Sequence, residues 1–402
     1  MSETPYRIQP TSLETTPITI TDLTAEVIGA AKTLEAKLPA HTANSLADLV
    51  RIMNCYYSNL IEGHDTRPIE IQRALEDDID ETDPRRHLQI EALAHIRLQT
   101  EIDKSYAKGQ LGEPWDRDFI TWLHREFYRD ALPEMLQIKK KDGTALTLRP
   151  GEIRSGPDEN VEVGRHIPPS TKVLPQFLDN FEEHFRVEGQ RPASAIIASA
   201  IAHHRFMYIH PFLDGNGRVG RLASHAMILK AGVGAHGLWS ISRGLARGTA
   251  QGPEGPEGRA EYKSMLDHAD TPRQGDRDGR GNLSEAATID FVEWWLKICL
   301  DQIIFMTKQF DLDRIEERIS NWLTKEGLSK SMGIIKECLS RGEMKRGDAG
   351  RVTGMPERTA RDQMRLLEKT GIIASDTPKG PVRLVFTPST ASKLFPNLFD
   401  IT

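Results

Sequence analysis

His-Pro-Phe-Leu-Asp-Gly-Asn-Gly-Arg-Val-Gly-Arg, residues 210–221, constrains this chain more than any other stretch. Before it, Ala193–Ile209 is rich in Ala and Ile and lacks Gly and Pro, a pattern that predicts a buried helix. Pro211 and the glycines at 215, 217 and 220 break that helix, and Arg221–Lys230 begins another. The stretch therefore reads as a helix–loop–helix whose loop ends at a helix N-terminus. Backbone N–H groups exposed there, with no Cβ on Gly215 and Gly217 to block approach, make an anion site. One imidazole, one carboxylate and two arginines share the same segment. These residue types suit holding a polyphosphate while a proton leaves an attacking hydroxyl.

Gly215, Gly217 and Gly220 also spell GxGxxG, the fingerprint of a dinucleotide-binding turn. That turn needs a strand before the glycines and an acidic residue about 20 positions later. Here a helix is predicted before them, and no Asp or Glu lies between Asp214 and Glu254. The dinucleotide reading fails on both counts.

The whole string from His210 to Arg221 resembles the signature of the Fic family, with every defining position filled. The family's usual chemistry is transfer of AMP from ATP to a protein hydroxyl, with release of pyrophosphate. The resemblance implies a mainly α fold, a helical core with a small β-hairpin flap. It implies that His210 is the general base for a target Ser, Thr or Tyr and that Asp214 binds the Mg2+ bridging the phosphates of ATP. Gly215, Asn216 and Gly217 would cradle the α- and β-phosphates, and Arg218 and Arg221 would hold the distal ones. Val219 and Gly220 fall within the same nucleotide-binding stretch, and Phe212 would anchor the loop in the core. The residues suit these roles on their own chemistry. An unperturbed histidine titrates at about pH 6.5, so it accepts a proton near neutral pH. Arginine forks with a hard cation neutralise transferring phosphates.

Far upstream, Ser58-Asn-Leu-Ile-Glu62-Gly63 resembles the family's inhibitory-helix motif. Leu46, Leu49, Val50, Met53, Tyr57, Leu60 and Ile61 recur at helical spacing, and Ser58 and Glu62 lie four apart on one face. In the family the glutamate pairs with the second arginine, here Arg221, and blocks productive γ-phosphate placement. Between the two motifs, residues 148–167 combine short apolar runs with a Gly-Pro-Asp turn, a hairpin signal. This segment resembles the family's flap, where an open strand edge receives the target's main chain.

Composition agrees with a globular enzyme of two or three domains: 402 residues, 38% hydrophobic, 27% charged. The net charge of −6 argues against a wholly nucleic-acid-coating protein. Cys55, Cys299 and Cys338 are odd in number and far apart, so they indicate neither a disulfide framework nor a zinc site. The start lacks a signal-peptide pattern and no apolar run is long enough for a membrane span, so the expected compartment is the cytoplasm.

Along the chain, residues 1–21 read as an extended lead-in, and helical patterns run to about residue 106 around an acidic loop at 76–83. Residues 119–130 and 175–185 read as helices flanking the flap. Tyr262 and Leu266 resemble the family's YxxxL element, whose tyrosine packs on adenine, although Gly/Pro/Glu-rich residues 250–258 and a polar loop at 271–282 interrupt this region. Residues 332–341, 346–353 and 357–370 read as three short helices, followed by a β-like wing at 371–386. This resembles a winged helix-turn-helix. Between Arg341 and Lys369, eight Lys or Arg stand against five acidic residues, and Arg358, Arg361 and Arg365 share one helical face. DNA binding and dimerisation or target docking stay equally open for this part.

The chain thus divides into an N-terminal helical region (1–106), a Fic core (107–310) and a winged helix-turn-helix (311–402). The expected function is autoinhibited protein adenylylation, with a protein target docked on the flap and self-modification within reach. Two alternatives stand beside it: a nucleotide-sensing DNA-binding regulator, and removal of AMP with Glu62 positioning a water. The sequence leaves homodimerisation open and points to no membrane partner.

Overall fold

The computed structural model describes residues 3–76, 83–140, 143–249 and 256–399. Most of the acidic run at 76–83 and of the insertion at 250–258 therefore lies outside the described residues.

Four helices build the N-terminal region: α1 (Ile18–Ala36), α2 (Ala40–Ile61), α3 (Pro68–Leu75) and α4 (Arg86–Ala107). Proline precedes or opens the first three, where its missing N–H costs nothing. In α2 the periodic Leu46, Leu49, Val50, Met53 and Tyr57 are all fully buried. Gly63, at φ +85, turns the chain out of this helix. The expected extended lead-in holds only in part. Pro5–Ile8 forms a 3-10 turn, and α1 already begins at Ile18. Arg205 anchors the lead-in by donating to the Pro10 carbonyl at 3.0 and 3.3 Å, and the Leu283 N–H donates to Gln9 at 2.8 Å.

The central part continues with α5 (Arg117–Phe127), the antiparallel pair β1 (Gln137–Lys139) and β2 (Ala145–Thr147), and α6 (Leu174–His184). It ends with α7 (Pro192–Ile209), α8 (Asn216–Lys230), α9 (Ile241–Arg247), α10 (Pro256–Ala269) and α11 (Glu285–Gln309). α7 and α8 are buried along most of their length, polar residues of the motif included. The two-stranded element thus sits upstream of the segment expected to be a hairpin. Within 148–167, Gly156-Pro157-Asp158 opens a 3-10 turn, and only Val163 and His166 pair as an antiparallel bridge. Arg154 explains the difference. Its buried guanidinium takes the carbonyls of Glu159, Pro169, Ile209 and His210, binding this segment to the end of α7.

The C-terminal part carries α12 (Leu312–Lys325), α13 (Met332–Arg341), β3 (Glu343–Met344), α14 (Ala349–Thr353), α15 (Glu357–Thr370), β4 (Ile373–Ala374), β5 (Val382–Leu384) and α16 (Pro388–Leu394). The sheet is antiparallel in the order β3-β5-β4, and β3 lies before the stretch 371–386 expected to be β-like. Beyond α16 the chain returns to α2 and α9: the Tyr57 hydroxyl donates to the Leu398 carbonyl at 3.1 Å, and Arg243 of α9 donates to the Asn397 carbonyl at 2.8 Å. One continuous hydrophobic cluster runs through all three parts.

Candidate active site

α7 stops where His210 enters the left-handed region at φ 50, ψ 62. A non-glycine residue adopts this conformation only when its surroundings hold it there. Arg154 Nε supplies the hold at 2.8 Å to the His210 carbonyl. Burial, followed by the positive charge of Arg154, pushes the His210 pKa down to about 4, so the ring is neutral near pH 7. Its Nδ1 is buried, and a contact with the Met207 backbone opposes part of that lowering.

The loop after His210 is closed by Asn216, whose amide accepts from the Phe212 N–H and donates to the Phe212 carbonyl, both at 2.9 Å. Phe212 is fully buried and stacks on His124 at 4.0 Å. Gly215 caps α8 at φ +79, with the Tyr128 ring so close that a Cβ there would lie 3.0 Å from it. The first backbone bond at this end of α8 runs from Val219 N–H to the Gly215 carbonyl, so the N–H groups of Asn216, Gly217 and Arg218 lack intrahelical partners. This end of the helix favours an anion.

A cavity of about 620 Å³ lies over this helix end, lined among others by Glu62, His166, His210, Asp214, Gly217 and Arg221. Gly215, Asn216 and Tyr262 line it as well. Arg218, Val219 and Gly220 are not among the lining residues. Helical rotation turns them inward: Val219 packs in the core, and a Cβ on Gly220 would lie 3.1 Å from Phe206. Arg218 is buried against Glu91, Tyr128 and Asp214 rather than presented to the cavity.

Arg221 is engaged from the other side. Its Nη2 meets Glu62 Oε1 at 2.6 Å and the Ser58 carbonyl at 3.1 Å, and its Nε donates to Ser58 Oγ at 3.0 Å. Burial raises the Glu62 pKa, but Arg221 and then Arg218 outweigh it and hold the carboxyl below its ordinary value. A Cβ on Gly217 would collide with the Glu62 carboxylate, so Glu62 occupies space directly above the helix end. Burial likewise raises Asp214, while Arg218 and further hydrogen bonds pull it below the usual carboxylate value.

Tyr262 is buried, and its hydroxyl and His203 Nε2 are 2.7 Å apart, so the polar end of this ring is tied inward. His166 and Asp270, also at the cavity, face each other at 3.0 Å, and Asp270 reaches His204 at 3.0 Å. Sequence reasoning did not single out Arg154, Glu91, Tyr128, His166 or Asp270. Only Tyr128 carried a local signal, lying one helical turn after His124 on the same face.

Residues 114–228 match the Fic/DOC family. The matched stretch is built around the helix–loop–helix that carries His210 and Arg221. It is similar to the protein adenylyltransferase Fic of Drosophila grimshawi, 30% identical over 119 residues, 27% of this chain and 24% of that relative. The same-named protein of Drosophila sechellia is 37% identical over 103 residues, 25% of this chain and 20% of the relative. The chain thus spans about a quarter of the length of the curated relatives it matches. The crystal structure of a Fic family protein from Desulfovibrio desulfuricans G20 superposes with a TM-score of 0.53 at 18% identity, covering 93% of this chain and 98% of that one. That likeness concerns the fold. No described helix is long and apolar enough to cross a membrane.

Proposed function

We propose that the protein transfers AMP from ATP to a Ser, Thr or Tyr hydroxyl of a target protein and is held off by Glu62. The observation that carries this reading is a single cavity shared by a neutral His210, the Asp214 carboxylate, the bare N-terminus of α8 and Arg221. In the proposed step His210 accepts the proton of the target hydroxyl, whose oxygen attacks the α-phosphorus. The bond from that phosphorus to the bridging oxygen breaks, and pyrophosphate leaves. The N–H groups of α8 and the Arg221 fork receive the phosphates. Glu62 is the inhibitor because it takes the fork that the γ-phosphate needs.

Asp214 fits a role as Mg2+ ligand. No group of three or more His, Cys, Asp or Glu arranged to hold a metal occurs among the described residues. Mg2+ does not need one, since it binds through one or two carboxylates together with substrate phosphates and water. Bound there, the cation would neutralise charge on the phosphates.

Segment 148–167, fixed by Arg154 and ending in the Val163–His166 bridge, would present the target's main chain beside His210. The boundaries at 106 and 310 separate roles rather than independent cores, because α16 and the residues after it pack on α2 and α3. For residues 311–402 the reading is a winged helix-turn-helix, supported by the order α13, β3, α14, α15, β4, β5. The exposed Arg361 and Arg365 of α15 are available to phosphates, each weakly paired within its own helix at 3.0 and 3.5 Å.

The test is labelling of a cell lysate by the Glu62→Gly protein with ATP carrying the label on either the α- or the γ-phosphate. AMP transfer predicts protein bands with the α label alone. Bands with the γ label, or none with either, would overturn the reading.

A further inference from the structure

Arg218 lies in a buried chain of contacts that the proposed transfer does not use. Its Nη1 donates to Glu91 Oε1 at 2.8 Å, and its Nη2 donates to Tyr128 Oη at 2.9 Å and Asp214 Oδ2 at 2.8 Å. The Tyr128 hydroxyl in turn donates to the same Asp214 oxygen at 2.9 Å. Behind Glu91, its second oxygen meets His64 Nδ1 at 2.8 Å. Glu91, Tyr128 and Arg218 are each under a tenth exposed, whereas the Asp214 side chain is 46% exposed and faces the cavity.

We propose that Glu91, acting through Arg218, and Tyr128, through its own hydrogen bond, are positioning residues for Asp214 that aim its carboxylate and leave it charge for a cation. The inference rests on the reading of Asp214 as the Mg2+ ligand. Two effects support it. The first is geometric: one oxygen of Asp214 receives two donors from fixed, buried groups, so the carboxylate keeps one orientation while its other side stays open to the cavity. The second is charge sharing. Arg218 stands between two carboxylates, so its positive charge is divided between Glu91 and Asp214 rather than given to Asp214 alone.

Removing the Glu91 charge would leave Arg218 bound to Asp214 as its one anionic partner, in direct competition with a divalent cation. Outer partners of metal ligands act in this way, and their loss typically costs about 10–100-fold in metal affinity. Tyr128 has a further tie to the site, because its ring lies against Gly215 at the loop's left-handed turn. A shift of that ring would move the loop and the carboxylate together. A purely structural network would affect folding and leave the response to Mg2+ unchanged.

The experiment uses the full chain carrying Glu62→Gly, titrated with Mg2+ in the presence of a fluorescent non-hydrolysable ATP analogue. Glu91→Gln and Tyr128→Phe should each raise the Mg2+ midpoint by about tenfold. Analogue affinity in EDTA should stay near that of the parent. Asp214→Asn provides the reference and should shift the midpoint further. If Asp214→Asn shifts the midpoint while Glu91→Gln and Tyr128→Phe coincide with the parent, the positioning role is overturned and the metal reading stands. If Asp214→Asn leaves the curve unmoved, the metal reading fails and this inference falls with it. Tyr128→Phe keeps the ring and deletes only the hydroxyl, so it decides the question should Glu91→Gln fail to fold.

Discussion

Arg221 and Glu62 are 159 positions apart in sequence, yet Nη2 and Oε1 meet at 2.6 Å across the mouth of α8. The arginine is 1% exposed and the glutamate side chain 31%, so the pair is shielded on the arginine's side and open on the cavity's. An ion pair half sheltered in this way resists salt better than one on the surface. It is also within reach of a competing phosphate. Every prediction about regulation depends on that exchange of partners.

His210→Ala in the Glu62→Gly protein should leave folding and ATP binding nearly intact and abolish transfer. Loss of a positioned base typically costs about 10²–10⁴-fold in rate. Labelling by the double variant equal to that of the Glu62→Gly parent would remove His210 from the mechanism.

The same chemistry sets a pH dependence. His210 works as a base only when neutral, so transfer falls as pH drops through its pKa and is indifferent to His210 above it. With that pKa at about 4, kcat/KM of the Glu62→Gly protein should hold from pH 8 down to about pH 5 at saturating Mg2+. An acid limb centred near 6.5, the value of an unperturbed imidazole, would contradict the buried environment described for this ring.

Asp214→Asn should weaken Mg2+-dependent nucleotide binding, because a neutral amide is a poorer ligand for a hard cation. Coincident Mg2+ titrations of variant and parent, followed by nucleotide fluorescence, would exclude Asp214 as the ligand.

If the C-terminal part binds DNA, complex formation should fall steeply with added salt and be reduced by Arg361→Ala. Gel shifts with genomic fragments at low salt are the check. Absence of any complex would assign α15 to dimerisation or docking instead.

The sequence made the elements legible where local chemistry decides them. α13 and α15 have the residue limits expected, since Pro356 stands before α15 and Gly371, at φ +76, ends it. The motif's helix–loop–helix was legible for the same reason: proline and glycine act on their own neighbours. What stayed hidden acts over distance. Glu91 reaches Arg218 across 127 positions, and Arg154 reaches the His210 carbonyl across 56. Neither leaves a periodic trace, and a buried carboxylate in α4 looks in sequence like any surface glutamate. The hairpin expected at 148–167 is reduced to the Val163–His166 bridge, while Arg154 ties carbonyls of the segment and of α7 together over a distance the sequence does not display.

The most direct test of autoinhibition is auto-labelling by ATP carrying the label on its α-phosphate, comparing wild type with Glu62→Gly. The substitution frees the Arg221 fork for the γ-phosphate, and the end of α2 loses only about 1 kcal/mol of helix propensity. Misplacement of reacting atoms by about 1 Å can cost about 10²-fold, so the variant should label far more strongly than wild type. Arg221→Ala should not reproduce the gain, because it removes the phosphate clamp together with the inhibitor's partner. Equal labelling of wild type and Glu62→Gly, with both proteins folded and binding ATP, would contradict the account.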